Sequence, residues 1–316
     1  MRMFAPASIG NLSVGFDSLG LALQAVDGGL FGDTVALQSG AQADWELELD
    51  GPFADVLPQD PEQNIVMVSC RRFERLARSM GKEIEPLKVR LEKRLPVSSG
   101  LGSSASSIVA ALAALNRYHG QPLNRLELLQ LMAEMEGAIS GDVHLDNIAP
   151  CLLGGLRLCM PDGRRQFSLP WPGGWQVLVA WPGTRMETKM ARQLLPDRLR
   201  RDTVVAHGAQ FALFVHELYN GEPRQAAECL VDLIAEPWRR DLIPGFDAAR
   251  SALMRMGALA MGISGSGPSI FCIVDDSEVA IQAGAWMEQN FLQNERGLVR
   301  RCRADLAGAR PVGEAA

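Results

Sequence analysis

A loop rich in glycine and serine carries the clearest chemical signal in the sequence. It is Leu95-Pro-Val-Ser-Ser-Gly-Leu-Gly-Ser-Ser-Ala-Ser106, and it runs directly into a segment with the composition of a helix. Glycines let the backbone turn so that successive N–H groups point inward. The unpaired N–H groups at the start of a helix favour negative charge, and serine hydroxyls add donors for phosphate oxygens and ligands for Mg²⁺. This combination predicts a cradle for a triphosphate.

Other interpretations of this loop fit the sequence less well. An ordinary turn with a serine-rich cap is disfavoured by two glycines and five serines within residues 98–106. A Walker A loop would need Gly-Lys-Ser/Thr, which does not occur. Gly100–Ala105 does match the dinucleotide fingerprint Gly-x-Gly-x-x-Ala. However, apolar and charged residues alternate in the strand before it, whereas the dinucleotide-binding fold needs a buried strand there. Residues 118–126 also contain no acid, where that fold needs one.

A second glycine-rich segment, Gly262-Ile-Ser-Gly-Ser-Gly-Pro268, lies far along the chain. It does not predict a hydrolase nucleophile, because Gly262–Ser266 lacks the second glycine of Gly-x-Ser-x-Gly. Its composition instead predicts a turn where two backbones approach closely or where the chain contacts phosphate.

Strand and helix patterns surround the glycine-serine loop. Trp45–Leu49 and Leu87–Glu92 alternate apolar with charged residues, which predicts half-buried antiparallel strands. Residues 64–80 have apolar residues at helical spacing, and Gly81 is a suitable stop. These elements place the loop between a strand and a helix.

The loop leads into a predicted helix over Ser103–Asn116. Asn124-Arg-Leu-Glu127 resembles a capping box and predicts the start of a further helix. Glu136 falls near the end of that helix, and residues 137–155 are expected to be irregular.

A shift to Pro, Gly and Asp around residues 160–175 predicts a domain boundary. We expect an N-terminal ATP-binding domain over 1–165, a C-terminal domain over 166–306 and a frayed tail over 307–316. The C-terminal patterns predict strands at 175–181 and 298–303, a strand-loop-strand around 262–268, and helices at 203–219, 223–235, 245–256 and 278–292.

The composition predicts an ordinary soluble globular protein of about two domains. The chain has 316 residues, a net charge of −6, 47% hydrophobic residues and 22% charged residues. The acidic balance argues against nucleic-acid binding. The sequence contains no run of about 18 apolar residues that could span a membrane. Met1–Pro6 lacks the apolar run of a signal peptide. The six cysteines form no Cys-x-x-Cys pair, which predicts reduced, mostly buried thiols in a cytoplasmic protein.

Three motifs, in this order along the chain, resemble the signatures of the GHMP kinases, which include galactokinase, homoserine kinase and mevalonate kinase. Ala5–Asp17 is similar to the N-terminal motif of the family, Pro96–Ala105 to its phosphate loop and Gly262–Phe271 to its C-terminal glycine motif. The resemblance covers nearly the whole chain. One departure is Ser98, where many members carry glycine.

Within this family the homoserine kinases are most similar. The segments that carry this likeness are Asn11–Asp17, Glu136–Pro150, Pro182–Thr188, Glu236–Arg239 and Leu242–Phe246. The resemblance implies an α+β fold of two domains, one like domain 2 of ribosomal protein S5 and one a ferredoxin-like α/β sandwich. It also implies transfer of the ATP γ-phosphate to the side-chain hydroxyl of L-homoserine, giving O-phospho-L-homoserine for threonine biosynthesis, in a homodimer.

The resemblance assigns roles to two groups of residues. The ATP-binding group is the loop itself: Pro96, Val97, Ser98, Ser99, Gly100, Leu101, Gly102, Ser103, Ser104, Ala105 and Ser106. The group around the amino-acid substrate is Asn11, Asp17, His144, Asp146, Asn147, Thr188, Arg192 and Arg239. In this group, the planar fork of arginine suits a carboxylate, and carboxylates accept from an ammonium. Arg240 is adjacent to Arg239 and remains an alternative ligand.

Glu136 and Ser104 match the family positions for Mg²⁺, which prefers a few hard oxygen ligands. Asn147, Asp146 and Ser104 are the expected catalytic residues. Asn147 cannot act as a base but can orient a hydroxyl. Because phosphoryl transfer depends mostly on positioning and charge stabilisation, a mechanism without a dedicated base is favoured.

Two other functions stay open from the sequence. One is a GHMP kinase for a different small alcohol, such as mevalonate or a sugar. The other is a non-catalytic sensor that binds ATP and a metabolite, although Glu136 and a complete phosphate loop argue against it.

Overall fold

The computed structural model describes residues 1–40, 44–140 and 144–313. The strands of this part of the chain are β1 (Arg2–Gly10), β2 (Leu19–Ala25), β3 (Gly32–Gln38), β4 (Glu46–Asp50), β5 (Lys88–Glu92), β6 (Leu156–Cys159), β7 (Gln166–Leu169), β8 (Gln176–Trp181), β9 (Ala260–Ile263), β10 (Ile270–Val274), β11 (Leu298–Ala304) and β12 (Arg310–Pro311). The α-helices are α1 (Ile65–Ser79), α2 (Ser103–Tyr118), α3 (Arg125–Ser140), α4 (Ile148–Leu153), α5 (Thr188–Gln193), α6 (Arg201–Asn220), α7 (Pro223–Glu228), α8 (Glu236–Arg239), α9 (Phe246–Met256) and α10 (Ser277–Asn290).

The first strand joins the two halves of the sheet system. Arg2–Pro6 of β1 pair antiparallel with β3, and Ala7–Gly10 pair antiparallel with β2. The strand order is β4-β5-β3-β1-β2-β11-β8-β10-β9, and β6 adds to β2 with β7 beside it. Because β1 changes partner halfway, its C-terminal end emerges where the two halves meet.

The helices of the N-terminal half cover one face of the sheet. Asn64 caps α1 by accepting from the N–H of Val66 at 3.0 Å. Helix α2 is buried along almost its whole length because its residues are small or apolar, and it packs against α1, α3, β1 and β3. The predicted capping box is confirmed, since Asn124 N–H donates to Glu127 at 2.8 Å and the Asn124 side chain accepts from the N–H of Glu127.

Helices cover both faces of the C-terminal half of the sheet. Along β8, Val177 and Val179 belong to a core that contains Phe214 of α6, whereas Leu178 belongs to a core that contains Leu253 of α9. This alternation explains why β8 is buried at every position and why residues 177–181 are all apolar. The cysteines are also as predicted, because all six are buried free thiols.

Several predicted elements differ from the structure. The pair β4–β5 is parallel rather than antiparallel, because alternation along a strand reveals its buried face but not the direction of its neighbour. Helix α7 ends at Glu228, well short of residue 235. The segment 137–155 is not irregular throughout, since α3 continues to Ser140 and α4 spans 148–153. Pro150 is compatible with α4 because it lies in the first turn, where no N–H donor is needed.

The C-terminal segment also differs from the prediction of a frayed tail over 307–316. β12 pairs with β1, and Met3 lies opposite Pro311. Residues 141–143, which belong to the segment predicted to be irregular, and residues 314–316 of the predicted tail lie outside the described part of the chain. The boundary at 165/166 stays a prediction, and it falls in the turn between β6 and β7.

None of the helices in the described part of the chain is both long enough and apolar enough to cross a membrane.

Candidate active site

A cavity of about 510 Å³ lies where the three sequence motifs converge, beside the N-terminus of α2. All of the residues predicted to surround an amino-acid substrate line it: Asn11, Asp17, His144, Asp146, Asn147, Thr188, Arg192 and Arg239. The predicted loop residues that line it are Val97, Ser98, Ser99, Gly100, Gly102, Ser103 and Ser104, and Glu136 lies there too. The structure thus brings both predicted groups into one cavity.

Four residues of the predicted ATP-binding loop do not line the cavity: Pro96, Leu101, Ala105 and Ser106. Leu101 and Ala105 are fully buried in the two flanking apolar cores. Ser106 is also buried, and its hydroxyl donates to Ala5 O at 2.8 Å while it accepts from Asp33 N–H. Their side chains hold the loop to the fold instead of facing the cavity.

The loop depends on left-handed backbone at three positions. Gly100 and Gly102 have φ of 82° and 62°, and Ser98 has φ of 54°. A Cβ on Gly100 would lie 2.2 Å from Ser264 O, and one on Gly102 would lie 2.0 Å from Ser8 Oγ. Glycine is therefore required at both positions by the packing of neighbouring chain segments, and Ser98 occupies a conformation that glycine adopts more easily.

The C-terminal glycine segment holds the loop in place. Ser264 Oγ donates to Gly100 O at 2.6 Å, and Ser269 N–H donates to Ser99 O at 3.1 Å. Gly265 N–H donates to Gly10 O at 3.1 Å, which ties the same segment to the end of β1. The prediction that this segment allows a close backbone approach is confirmed.

The N-terminal motif forms a left-handed turn. Asn11, Leu12 and Ser13 have φ of 68°, 43° and 57°, and Asp17 has φ of 55°. Such conformations cost about 1–3 kcal/mol each and persist where the surroundings enforce them. Here the Asn11 side chain accepts from Asp17 N–H at 2.9 Å and donates to Gly265 O at 3.0 Å. The turn fixes the directions of Asn11 and Asp17 toward the cavity.

Arg192 and Asp17 form a two-pronged ion pair across the cavity. The guanidinium donates to both carboxylate oxygens of Asp17 at 2.8–3.0 Å. His144 Nε2 lies 2.6 Å from the same guanidinium. Arg192 is held by a short helix, α5, whose first residue is Thr188. The Thr188 hydroxyl lies 3.4 Å from Ser266 Oγ.

Arg239 is held differently. Its side chain is buried, with the residue only 3% exposed, and it donates to Ala191 O at 3.2 Å and to Gly265 O at 3.3 Å. Burial lowers the pKa of Arg239. Its guanidinium and that of Arg192 each lie 5.8 Å from the centre of the Phe16 ring. Arg240 is exposed and pairs with Asp241, so the structure places Arg239, not Arg240, at the cavity.

Asp146 and Asn147 come directly before α4, and both line the cavity. Asn147 Nδ2 donates to Asp146 at 3.3 Å, and Asn147 Oδ1 accepts from Ser8 Oγ at 2.9 Å. Burial raises the pKa of Asp146 to about 7, and the nearby negative charges of Asp17 and Glu136 add to this rise. Asp146 is therefore a carboxyl group whose charge changes near neutral pH.

Glu136 reaches the cavity from α3 and contacts the start of α2. Its carboxylate accepts from Ser104 Oγ at 2.8 Å. Burial raises the pKa of Glu136, which means that a nearby positive charge would stabilise its ionised form. A carboxylate and a hydroxyl beside the glycine-serine loop fit the hard oxygen ligands that Mg²⁺ prefers.

Lys93 and Asp33 were not predicted from the sequence, and Lys93 lines the cavity. Lys93 continues the alternation of Leu87, Val89 and Leu91, so the pattern places it on the buried face of its strand. A lysine at a buried position needs a partner. The charged residue at an inward position of the strand was therefore the sign, in the sequence, of a buried ion pair. The mainly apolar end of the cavity was also not predicted. It is lined by Leu57, Pro58, Gln63, Asn64, Ile65, Val68 and Leu91.

The chain belongs to the GHMP kinase family of phosphotransferases. Residues 64–155 match the GHMP kinases N terminal domain, and residues 214–291 match the GHMP kinases C terminal domain. The mixed α+β architecture agrees with the two-domain fold expected for this family.

Among solved structures, the chain is similar to a homoserine kinase from Cytophaga hutchinsonii, with 32% identity, a TM-score of 0.87, and coverage of 98% of this chain and 96% of that one. A protein of Listeria monocytogenes assigned as a homoserine kinase has 24% identity, a TM-score of 0.75 and 99% coverage of both chains. The mevalonate kinase of Methanococcus jannaschii shares the fold at 13% identity, with a TM-score of 0.68 and coverage of 96% and 98%.

Proposed function

We propose that the protein is an ATP-dependent homoserine kinase. One observation carries this proposal: next to a phosphate-binding loop, a single cavity holds two guanidinium groups, Arg192 and Arg239, and two carboxyl groups, Asp17 and Asp146. A zwitterionic amino acid needs cations for its carboxylate and acceptors for its ammonium. Mevalonate, which has a carboxylate but no ammonium, would leave the acidic pair unused. The similarity to a homoserine kinase at 32% identity supports the same substrate.

The two ends of the cavity suit the two substrates. The apolar end between Leu57, Ile65 and Val68 suits the flat, apolar face of adenine, and Gln63 and Asn64 add polar edges. The backbone N–H groups of the loop and of the start of α2 would bind the triphosphate between the adenine and the amino acid. In this arrangement the γ-phosphate would lie beside the amino-acid pocket.

The charged residues would divide the recognition of homoserine between them. Arg239 and Arg192, with the Thr188 hydroxyl, would bind the carboxylate. Asp17 and Asp146 would accept from the ammonium. Asp17 already accepts two hydrogen bonds from Arg192, so the two residues form one ion pair. The substrate would bind to this pair, with its ammonium at Asp17 and its carboxylate at Arg192.

The reaction requires positioning more than proton abstraction. The homoserine hydroxyl oxygen forms a bond to the γ-phosphorus, the bond from phosphorus to the β,γ-bridging oxygen breaks, and the hydroxyl proton is released. Asn147, fixed by Ser8, would orient the hydroxyl. Ser104 and the loop N–H groups would stabilise the charge on the phosphate oxygens. Glu136 and Ser104 would hold Mg²⁺, which neutralises charge on the β- and γ-phosphates when bound.

The product would be O-phospho-L-homoserine, an intermediate of threonine biosynthesis. With this function we propose a cytoplasmic enzyme that acts as a homodimer on a small molecule, with neither nucleic acid nor membrane as partner.

ADP release measured with a panel of alcohols tests the function. We expect ATP turnover with L-homoserine to exceed that with L-serine, L-threonine or mevalonate by a large factor. Preferred turnover of mevalonate or a sugar would assign a different small alcohol. ATP binding without ADP release from any of these substrates would identify a sensor.

A further inference from the structure

A buried ion pair lies beneath the phosphate-binding loop. The Lys93 and Asp33 side chains are 2% and 0% exposed. The Lys93 ammonium donates to Asp33, to Ser103 O at 2.9 Å and to Ser107 Oγ at 3.0 Å. All three donors of the ammonium are thereby used, and one of them fixes the backbone of the first residue of α2.

Asp33 fixes the other end of the loop. Its Oδ1 accepts from the N–H groups of Arg94 and Leu95 at 2.8 and 3.0 Å, and its Oδ2 accepts from Ser107 Oγ at 2.6 Å. We call Lys93, Asp33, Ser103 and Ser107 the loop anchor. The chain entering the loop and the helix leaving it are both attached to this one cluster.

We propose that the loop anchor sets the position of the phosphate-binding N–H groups, so that Lys93 is a positioning residue for ATP. This inference rests on the proposed ATP site. A buried ion pair contributes little net stability compared with an apolar pair of similar size, because desolvation of both charges offsets their attraction. What an apolar pair could not supply is the hydrogen bond from Lys93 to Ser103 O, which fixes where α2 begins.

The test separates positioning from stability with two variants. Lys93→Met removes the ammonium and leaves Asp33 buried without it. The double variant K93M/D33N removes both charges, and the asparagine still accepts from the N–H groups of Arg94 and Leu95. Arg310→Met is the matched control. Arg310 pairs with the buried Asp305 at 2.8 Å, and neither residue lines the cavity.

The readouts are the melting temperature and the dissociation constants of ATP and adenosine, measured by calorimetry. Lys93→Met should lower the melting temperature, and the double variant should recover much of it. In the double variant ATP should bind about tenfold more weakly or worse, as for loss of one hydrogen bond to a charged group. Adenosine, which lacks phosphates, should bind as in the wild type. Arg310→Met should melt earlier and bind ATP normally.

A folded double variant with wild-type affinity for ATP would overturn the proposal, and so would an equal loss of affinity for ATP and adenosine. If the double variant does not fold, Ser107→Ala serves instead, because it removes one acceptor of Lys93 and keeps the ion pair. It should weaken ATP binding alone, and unchanged ATP binding would overturn the proposal. Failure of the wild type to bind ATP would contradict the proposed function and not the loop anchor.

Discussion

Arg239→Ala gives the sharpest test of how the cavity selects its substrate. The guanidinium of Arg239 is buried, and two backbone carbonyls hold it at the cavity wall. Its position therefore does not depend on the substrate. Its removal leaves Arg192, which is already paired with Asp17, as the remaining arginine of the cavity. We expect homoserine binding to weaken and ATP binding to stay nearly unchanged.

The size of the effect follows from the lost contact. A hydrogen bond to a charged group contributes about 1.5–3 kcal/mol, which corresponds to about 10- to 150-fold in KM for homoserine. Arg239→Lys should recover only part of this, because an ammonium lacks the planar fork. Arg192→Ala should cost at least as much, since it also leaves the Asp17 carboxylate unneutralised beside the substrate carboxylate. Adding Asp17→Asn to Arg192→Ala should cost less than the sum of the two single losses.

The assay is steady-state ADP release at saturating ATP, with homoserine and 1,4-butanediol compared in every variant. Butanediol has no carboxylate, so its KM should be nearly insensitive to both arginine variants. An unchanged KM for homoserine in Arg239→Ala and Arg192→Ala would refute the carboxylate site. An equal loss for butanediol would show that the variants distort the cavity.

Glu136→Gln should lower turnover and raise the Mg²⁺ concentration needed for half-maximal rate far more than it changes the KM for homoserine; a normal Mg²⁺ titration would contradict the metal role. Because the pKa of Asp146 is about 7 in the folded protein, homoserine affinity should fall by up to about tenfold per pH unit below 7 and level off above it, and Asp146→Asn should remove this dependence. The folded state holds the Asp146 proton more tightly than the unfolded state. The contribution of Asp146 to the free energy of unfolding should therefore decrease as pH rises from about 4 to 7, by at most about 1.4 kcal/mol per pH unit. Denaturant unfolding at several pH values measures this dependence, and Asp146→Asn should weaken it. Gly102→Val should weaken ATP binding and lower the melting temperature together, since its Cβ would lie 2.0 Å from Ser8 Oγ, and an unchanged melting temperature would contradict that packing.

The residues that line the cavity were easier to predict from the sequence than the residues that hold them in place. Every residue predicted to surround the amino-acid substrate lines the cavity, because each lies in a motif whose spacing is tied to the local backbone, such as the turn at Asn11. The loop was predicted from its own composition. Which of its residues face inward was not predictable, since burial of Leu101 and Ser106 depends on strands and helices far away in the sequence.

The elements that sequence reasoning missed share a physical cause. The parallel pairing of β4 with β5, the pairing of β12 with β1 and the contact of Lys93 with Asp33 all join segments distant along the chain. Periodicity reports which face of an element is buried but not what covers it. A charged residue at an inward position, such as Lys93, indicates that a partner exists without identifying it.

The place of β2 in the sheet has a consequence for biosynthesis. β2 pairs with β11, so that Ala25 lies opposite Cys302, and the glycine-serine loop is held by Ser264 and Ser269. During translation, β1 and β2 leave the ribosome long before these partners exist. The unpaired edge of β2 is then open to association with other chains, and pairings between distant segments form slowly. Because Gly265 and Ser266 line the cavity, the cavity is complete only after the last third of the chain has been made.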